Sequence, residues 1–427
     1  MQQGGLCPPF YLYREIFNQS FYNSGEMKKK YTRHVRKIDA FHHGWLKLLT
    51  RFVNLFTWRY KVRSKYKIKK GETVVVLSNH QTDIDSEFIE LSFNRPLYAL
   101  ATDSIFSSHI GSWFFGRLLG HIPKRKGMAD IASVLQMKRV ISEGGSLVMF
   151  PEGNRTYAEF QYYLAEGFAR FIKSLKSTLI LFNLEGGTGR NPRWRHKQRK
   201  GVFQGKIRRV LPYEEYADMD DKELEKIILD GIRVYDSESG RLYKSNKKAE
   251  YLERMLFVCP KCGKMHTLYS KGDLLTCQNC GLEVMFNEDM SLSSKDETFS
   301  FHKLNDWYQY QKKFVREMEI DDNEPIFIDE QVKFFHIVPF KYKKKICVGK
   351  LSLDRINLKI GQKTIPIRDI VGVSPISGIK LQISTKTESY LLKGKERFNP
   401  LKYALMLNKL DSGVKLGSTD RYYNLED

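Results

Sequence analysis

The sequence contains no long apolar run. No window approaches the roughly 18 consecutive apolar residues that a membrane-spanning helix needs. The nearest candidate, residues 104–116, is too short and is bounded by Asp103 and Arg117. The first residues, MQQGGLCPPFYLYREIF, show neither the basic start nor the apolar core of a secretory signal. We therefore expect a protein that, if it meets a membrane, lies on its surface.

Acidic residues are scarce relative to basic ones. The 427 residues include 71 Lys and Arg against 49 Asp and Glu, a formal net charge of +22. An excess of this size predicts an anionic partner, which is a nucleic acid, an anionic membrane or a phosphorylated substrate. Hydrophobic residues make up 41% of the chain, which excludes a disordered protein. The length predicts about two to four domains.

Cysteine is also rare, and its placement is informative. Four of the six cysteines form two C-x-x-C pairs separated by fourteen residues: Cys259, Cys262, Cys277 and Cys280. This spacing argues against a disulfide framework and for a reducing compartment. Four thiolates on two tight turns match one structural zinc ion in a zinc ribbon, with no open coordination position for catalysis. A redox dithiol is the alternative interpretation.

Residues 28–70 combine strong positive charge with bulky apolar residues. Fifteen Lys and Arg stand against the single Asp39. The apolar residues recur at helical intervals, at Trp45, Leu48, Leu49, Phe52, Val53 and Phe56. This pattern is typical of an amphipathic helix on a membrane surface, so residues 1–70 are predicted to form a basic membrane-surface arm. The alternative is a helix docked on the next domain with a solvated basic face.

Residues 71–235 alternate between strand-like and helix-like segments. Four apolar runs read as buried strands: TVVVLSN at 73–79, LYALATD at 97–103, SLVMFPEG at 146–153 and TLILFNLEG at 178–186. Between them, 127–144 reads as a helix with one apolar face, formed by Ile131, Val134, Met137 and Ile141. The alternation predicts an α/β domain with a mostly parallel sheet, whose chemistry lies past the carboxyl ends of the strands.

The remainder of the chain divides into three parts. The polar segment 236–254 predicts a linker, and 255–290 contains the zinc ribbon. Residues 297–427 predict a helix followed by a small antiparallel β domain closed by a second helix. This last part resembles pleckstrin-homology-like or GRAM-like modules in its strand rhythm. Its basic run at 341–345 either meets phosphates or is a solvated hairpin.

The strand at 73–79 leads directly into His80, with Asp85 five residues further on. An Asp that accepts a hydrogen bond from one imidazole nitrogen fixes the tautomer and raises the basicity of the other nitrogen. That nitrogen can then take a proton from a substrate hydroxyl. The alternative is a helix start in which Thr82 is the N-cap and the acidic residues lie near the helix dipole.

A second polar segment, FPEGNRT at 150–156, follows another strand end. Pro151 and Gly153 favour a sharp turn that presents Glu152 and Arg155. An arginine placed in this way can hold a phosphate through two hydrogen bonds. The alternative is a polar turn with a surface ion pair.

NHQTDID followed about seventy residues later by FPEGNRT resembles the glycerolipid acyltransferases, the 1-acylglycerol-3-phosphate acyltransferase family. GHIPKR, at 120–125, resembles the middle block of that family. The resemblance implies that His80 is the general base and Asp85 its orienting partner. It implies that the lysophospholipid headgroup is bound by Arg125, Glu152 and Arg155, with Gly153 allowing close backbone approach. No covalent acyl-enzyme is implied.

The leading hypothesis is therefore acyl transfer from acyl-carrier protein or acyl-CoA to a lysophospholipid, by a peripheral enzyme on the cytoplasmic face of a membrane. A nucleic-acid partner is disfavoured because the basic residues concentrate in the amphipathic arm. The alternative is a non-enzymatic zinc-ribbon protein that binds lipid or nucleic acid on an acyltransferase-like scaffold. The presence of His80, Asp85, Glu152 and Arg155 together argues against a disabled scaffold.

Overall fold

The structure is a computed structural model. It describes residues 34–102, 105–107, 109–124, 130–159, 164–195, 197–321, 324–338 and 342–410. The predictions made for Arg125 and for residues 1–33 lie outside the described residues. All the elements below belong to one compact unit, residues 35–427.

A seven-stranded sheet forms the centre of the first half of the chain. Its strands β1 to β7 are Tyr60–Val62, Val74–Ser78, Tyr98–Thr102, Ile122–Lys124, Leu147–Met149, Thr178–Glu185 and Phe203–Leu211. Their spatial order is β1-β7-β6-β2-β5-β3-β4. Only β6 and β7 pair antiparallel, and the other neighbouring strands are parallel. The expected α/β region with a mostly parallel sheet is thereby confirmed in outline.

Helices cover both faces of this sheet. They are α1 to α7, at Asp39–Phe56, Asp85–Glu90, Ile131–Ser142, Phe168–Ser174, Gly187–Arg190, Tyr213–Tyr216 and Asp221–Ile232. A π-helical turn spans Ser112–Leu118. Alternate residues of β2 face opposite sides, so Val75 and Leu77 pack with α3, α4 and α7, while Val74 and Val76 pack with α2. The burial of both faces explains why these strands are almost continuously apolar.

The prediction that Ile131 lies on the buried face of its helix is wrong. Ile131 is 60% exposed, whereas Met137 and Val140 are buried and Val134 and Ile141 are partly buried against the sheet. Ile131 is the first residue of α3. The sheet therefore contacts the later turns of this helix rather than its start.

The membrane-surface arm was predicted to span residues 1–70, but the end of this range is part of the first sheet. After α1, Trp58, Tyr60 and Ile68 are buried in the core of the first sheet. Strand β1 pairs with β7 in parallel. The described helices include none that combines the length and apolar character needed to cross a bilayer.

The segment 236–254, predicted to be a linker, is packed rather than free. Asp236, Tyr243, Ala249 and Leu252 are all buried. The last three of these belong to the same apolar core as the following regions. The prediction failed because Tyr243, Ala249 and Leu252, which are among the few apolar residues of this polar segment, enter the core.

The cysteine-containing region forms a four-stranded antiparallel sheet. Its strands β8 to β11 are Leu268–Lys271, Leu274–Cys277, Glu283–Phe286 and Leu292–Ser293. Helix α8, Leu304–Glu317, packs on this region through Trp307, whose indole donates to the carbonyl of Val258 at 2.9 Å.

The C-terminal region is a second seven-stranded sheet, and it is entirely antiparallel. Its strands β12 to β18 are Phe327–Val338, Tyr342–Leu353, Asn357–Ile360, Lys363–Pro366, Ile370–Ser377, Lys380–Thr385 and Ser389–Lys393. Helix α9, Pro400–Leu410, closes it and is almost completely buried. The expected antiparallel β domain with a terminal helix is confirmed in outline, and its resemblance to pleckstrin-homology-like modules stays a prediction.

Candidate active site

Three loops meet at one edge of the first sheet. Strands β5, β2 and β6 are neighbours and run parallel, so their carboxyl ends lie side by side. The loops that follow them begin at Asn79, Phe150 and Gly186. Catalytic groups of open α/β sheets are commonly found at this edge.

His80 and Asp85 are in direct contact there. Nδ1 of His80 lies 2.8 Å from Oδ2 of Asp85. The imidazole is 22% exposed and stacks on the ring of Phe150 at a centroid distance of 4.3 Å. One side of the ring is thus oriented by a carboxylate, and its exposed part lines a cleft.

Asp85 is itself held in place by the backbone. Its Oδ2 accepts hydrogen bonds from the amides of Gln81 and Thr82 at 2.6 and 2.9 Å, and its Oδ1 accepts from the Thr82 hydroxyl. Helix α2 begins at Asp85, and Ile84 occupies the N-cap position. The alternative in which Thr82 caps this helix is therefore wrong, because the Thr82 side chain binds the carboxylate instead.

The cleft beside His80, together with its opening to solvent, has a volume of about 420 Å³. Its polar lining includes Glu152, Thr156, Arg233 and Tyr235. Glu152 is buried, and its Oε2 accepts a hydrogen bond from the His80 amide at 3.1 Å. The cleft thus joins the loops after β2 and β5 to the end of helix α7, a part of the chain for which the sequence predicted no role.

Gly153 adopts the conformation that the turn requires. Its φ is +70°, in the left-handed region that side chains disfavour. Its amide donates to the carbonyl of Phe150 at 3.0 Å. The glycine therefore allows the chain to reverse between Glu152, which faces the cleft, and Arg155, which points into the protein.

Arg155 is buried, and its guanidinium contacts protein atoms on all sides. Nε donates to the Gln81 carbonyl and Nη2 to the Asn191 carbonyl, both at 2.9 Å, while Nη1 lies 2.8 Å from an Asp83 carboxylate oxygen. In this arrangement Arg155 braces the loop that contains His80. The phosphate contact predicted for this arginine would compete with these bonds.

Gln81 and Asp236 form a second hydrogen-bond network that holds the loop containing His80. The sequence did not predict this network. The Gln81 side chain accepts from the Gly187 amide at 2.8 Å and donates to Asp236 Oδ2 at 3.3 Å. Asp236 also accepts from the amides of Gly186, Thr188 and Gly189 at 2.6 to 3.2 Å. Both polar groups of the Gln81 side chain are therefore used to fix the residue next to His80. No short motif connects residues 155 positions apart, so no local signal existed.

Glu159 adds further hydrogen bonds to the network of Gln81 and Asp236. Its carboxylate accepts hydrogen bonds from the amides of Asp236 and Ser237 at 2.9 and 3.1 Å. Burial and the nearby Asp236 charge raise the pKa of Glu159, which favours its protonated form. A protonated Glu159 beside an ionised Asp236 avoids placing two buried negative charges together.

The four cysteines of the two C-x-x-C pairs converge on one point. Their Sγ atoms all lie within 4.8 Å of one another, with Cys259 and Cys280 3.6 Å apart and Cys262 and Cys277 3.8 Å apart. Tetrahedral coordination at the usual zinc–sulfur length of about 2.3 Å places sulfurs about 3.8 Å apart. The four thiols thus fit a single tetrahedral metal ion. His266, which lies between the pairs, packs on Phe257 and Phe327 instead.

The comparisons with known proteins agree with the motifs in one part of the chain. Residues 59–205 match the model of the family described as Acyltransferase. Among solved structures, the 1-acyl-sn-glycerophosphate (LPA) acyltransferase PlsC of Thermotoga maritima is similar to this chain, with a TM-score of 0.40 and 16% identity, over 52% of this chain and 86% of that chain. No curated protein matches the chain. The family match includes His80, Asp85 and the FPEGNRT segment, so the similarity to the acyltransferase family covers residues 59–205.

Proposed function

We propose that the protein transfers a fatty-acyl group from acyl-carrier protein or acyl-CoA to the hydroxyl of a lysophospholipid, with 1-acylglycerol-3-phosphate as acceptor and phosphatidate as product. The observation that carries the proposal is the 2.8 Å contact between His80 and Asp85 in the wall of the cleft. The acyltransferase-family match over residues 59–205 supports the reaction class.

His80 acts as the general base in this proposal. Among the described residues, its Nε2 makes no hydrogen bond, so this nitrogen is available to a substrate hydroxyl. As the hydroxyl oxygen attacks the thioester carbonyl, Nε2 takes the hydroxyl proton, and the thiolate leaves with the proton that His80 returns. Asp85 keeps Nδ1 protonated and stabilises the imidazolium that forms.

The acceptor headgroup is placed in the cleft beside His80. Arg233 supplies a positive charge in the described wall of this cleft, and Glu152 supplies a carboxylate. Arg125 remains the predicted phosphate ligand from the middle block. Arg155 acts mainly through its bonds to the His80 loop, which separates its role from that of Arg125.

We also propose that helix α1 rests on an anionic membrane surface. Its buried residues include Asp39 and His43, and His43 contacts Glu90 at 2.6 Å. Leu46 is also buried, but most of its apolar residues face outward, with Trp45 58%, Phe52 60% and Phe56 73% exposed. A helix that buries polar residues and exposes aromatic ones is the reverse of a docked surface helix, and a bilayer can cover its outer face.

The neighbouring segment adds to the same apolar surface. The side chains of Arg36 and His42 on the α1 side contact the Leu118 carbonyl at 3.2 and 3.0 Å. In that adjoining segment Ile110 is 82% and Trp113 56% exposed. Exposed apolar residues from two segments that touch each other favour a membrane contact. They argue against the alternative, a docked helix with a solvated basic face.

We also propose that the two C-x-x-C pairs bind one structural zinc ion. Cys259, Cys262, Cys277 and Cys280 would fill its four positions and leave none for a substrate. The ion would stabilise the cysteine-containing region, and no step of acyl transfer is assigned to it.

The activity is tested with the purified full chain, a panel of lysophospholipids, and acyl-CoA or acyl-carrier protein as donor. We expect ester formation with at least one pair and a preference for a phosphate-bearing acceptor. Measurable transfer that survives unchanged in His80→Ala would contradict the mechanism. Lipid binding without transfer for any pair would favour the non-enzymatic alternative.

The membrane contact is tested by vesicle flotation. Replacement of Trp45, Phe52 and Phe56 by Ser should release the protein from anionic vesicles even at low salt, because apolar burial is lost. A control in which exposed Leu242 and Ile356 are replaced by Ser should float like the native chain. Equal flotation of all three proteins would place the membrane contact elsewhere.

A further inference from the structure

Three lysines from three neighbouring strands stand in a row on the C-terminal sheet. Lys333 of β12 pairs directly with Lys393 of β18, and Lys393 pairs with Lys380 of β17. Residues in register on adjacent strands point to the same face of a sheet. The residues next to them, Phe334 and Leu392, are buried in the core, so the lysines point to the opposite face of the sheet.

A fourth lysine belongs to the same cluster. Lys343 of β13 pairs directly with Ile337 of β12, four residues after Lys333, so Lys343 points to the same face of the sheet. Burial and the charges of Lys380 and Lys393 lower its pKa, which agrees with this position. Among the described residues, none of these four lysines forms an ion pair. Other lysines of the same sheet do, as Lys359 lies 2.8 Å from Asp354.

Such a cluster is unfavourable without an anion. Like charges directly opposite each other destabilise a strand pair. The row contains two such pairs, Lys333 with Lys393 and Lys393 with Lys380, so the repulsion acts across three strands. A bound anion would remove this repulsion and gain contacts to several ammonium groups at once.

The lysine face continues to the active-site loop. Gln382 lies two residues after Lys380 on the same face and is buried, with neither atom of its amide hydrogen-bonded. It pairs in register with Ser374 of β16, whose hydroxyl donates to Asn154 Oδ1 at 3.4 Å. Asn154 belongs to the FPEGNRT loop. The cluster is therefore connected to the loop after β5 through a row of polar side chains.

We propose that Lys333, Lys343, Lys380 and Lys393 form a binding site for a phosphate-bearing anion, on the β-domain face that reaches the active-site loop. Phosphate matches the site because it carries up to two negative charges and several acceptor oxygens, which a cluster of ammonium groups can share. The phosphate comes either from the headgroup of an anionic phospholipid or from a soluble phosphate compound. This site is separate from the His80 cleft and from the apolar face of α1.

The test compares the native full chain with Lys380→Gln/Lys393→Gln. The control is Lys222→Gln/Lys226→Gln, which removes two exposed lysines from α7. Thermal unfolding is measured in inorganic pyrophosphate and in sodium chloride of equal ionic strength. We expect pyrophosphate to raise the melting temperature of the native chain and of the control by about 2 °C or more, and that of the test variant by much less. In chloride alone the test variant should melt no lower than the native chain, because repulsion has been removed.

Vesicles distinguish the two sources of phosphate. Binding of the same three proteins is measured to phosphatidylcholine vesicles with and without phosphatidate. A test variant that loses both its pyrophosphate response and its preference for phosphatidate assigns the site to a lipid headgroup. Loss of the pyrophosphate response alone assigns it to a soluble phosphate compound. Equal pyrophosphate shifts in the test variant and the native chain would overturn the proposal, whatever the acyl-transfer activity.

Discussion

The two candidate sites of this protein are assembled in opposite ways. The four cysteines come from a segment of 22 residues, Cys259 to Cys280, and two short turns bring them together. The His80 cluster draws on segments as distant as Gln81, Arg155, Gly187 and Asp236. One site is a local structure that a metal ion would close, and the other is a meeting point of loops that the whole sheet has to position.

The two sites are nevertheless not independent. Tyr157 and Ala158, which directly follow the FPEGNRT loop, are buried in the same apolar core as Cys259, Cys277 and the C-terminal sheet. Arg193 reinforces the connection, since its guanidinium donates to the carbonyls of Arg155 and of Pro375 in β16. The local site therefore helps to support the distant one, and the following variants test how strongly.

The largest effect is expected at the distant site itself. His80→Ala should lower the transfer rate by about 10²- to 10⁴-fold, since the proposed general base is removed, and Asp85→Asn should lower it by a comparable factor. Steady-state kinetics measure both, and circular dichroism checks the fold. His302→Ala, at an exposed histidine, is the control and should keep native activity. Native rates in a folded His80→Ala protein would rule out this base.

The next effect concerns the local site. Cys277→Ser should abolish tight metal binding and lower the melting temperature by several degrees, because the folding of such regions draws on the metal. Since the core is shared with Tyr157 and Ala158, we expect acyl transfer to fall as well. Metal analysis and activity are measured on the same sample. Cys347→Ser is the matched control, and full activity in a metal-free Cys277→Ser protein would show that the two sites are uncoupled.

An intermediate effect is expected for the hydrogen-bond network at Asp236. Asp236→Ala leaves the amides of Gly186, Thr188 and Gly189 without their acceptor, at a cost of about 1–3 kcal/mol for a buried group. The maximal rate should fall by about tenfold or more while the Michaelis constant for the acceptor changes little, because Asp236 acts through Gln81. Glu223→Ala, at an exposed acid of α7, is the control. A change confined to the Michaelis constant would instead place Asp236 in substrate binding.

Arg155 gives a similar test with two clear outcomes. Its contacts to Gln81, Asp83 and Asn191 predict that Arg155→Gln lowers the maximal rate about equally for acceptors with and without a phosphate. Arg233→Gln, in the cleft wall, should instead raise the Michaelis constant for the phosphate-bearing acceptor alone. If Arg155→Gln discriminates between the two acceptors, the arginine leaves its internal contacts to bind phosphate.

The smallest effect is expected at a buried histidine of the first region. Burial and the charge of His43 lower the pKa of His121 to about 3. An unfolded histidine has a pKa of about 6.5, so the unfolded chain binds more protons between these values. Stability should therefore fall as the pH drops below about 6.5, by up to about 1.4 kcal/mol per pH unit for this histidine. His121→Asn should reduce this slope in urea unfolding, and an unchanged slope would show that His121 is not buried as described.

Sequence patterns were sufficient where the relevant distances along the chain are short. The H-x4-D spacing lets Asp85 turn back onto His80 within one loop, and each C-x-x-C pair can ligate one ion from a single turn. In the first sheet, burial on two faces leaves continuous apolar runs, which identified β2, β3, β5 and β6. In the C-terminal sheet, alternating runs identified strands that bury one face. Helical periodicity gave the wrong result at Ile131, because the first turn of α3 extends past the sheet.

Tertiary structure alone decided which distant segments meet and which face of an element is covered. The polar composition of residues 236–254 gives no sign that Asp236 receives three backbone amides beside Gln81, because that contact depends on the order of β2 and β6 in the sheet. The FPEGNRT motif does not show that Arg155 points inward. Helix α1 is amphipathic in sequence, but only the tertiary structure shows that Asp39 and His43 are buried while most of its apolar side chains are exposed.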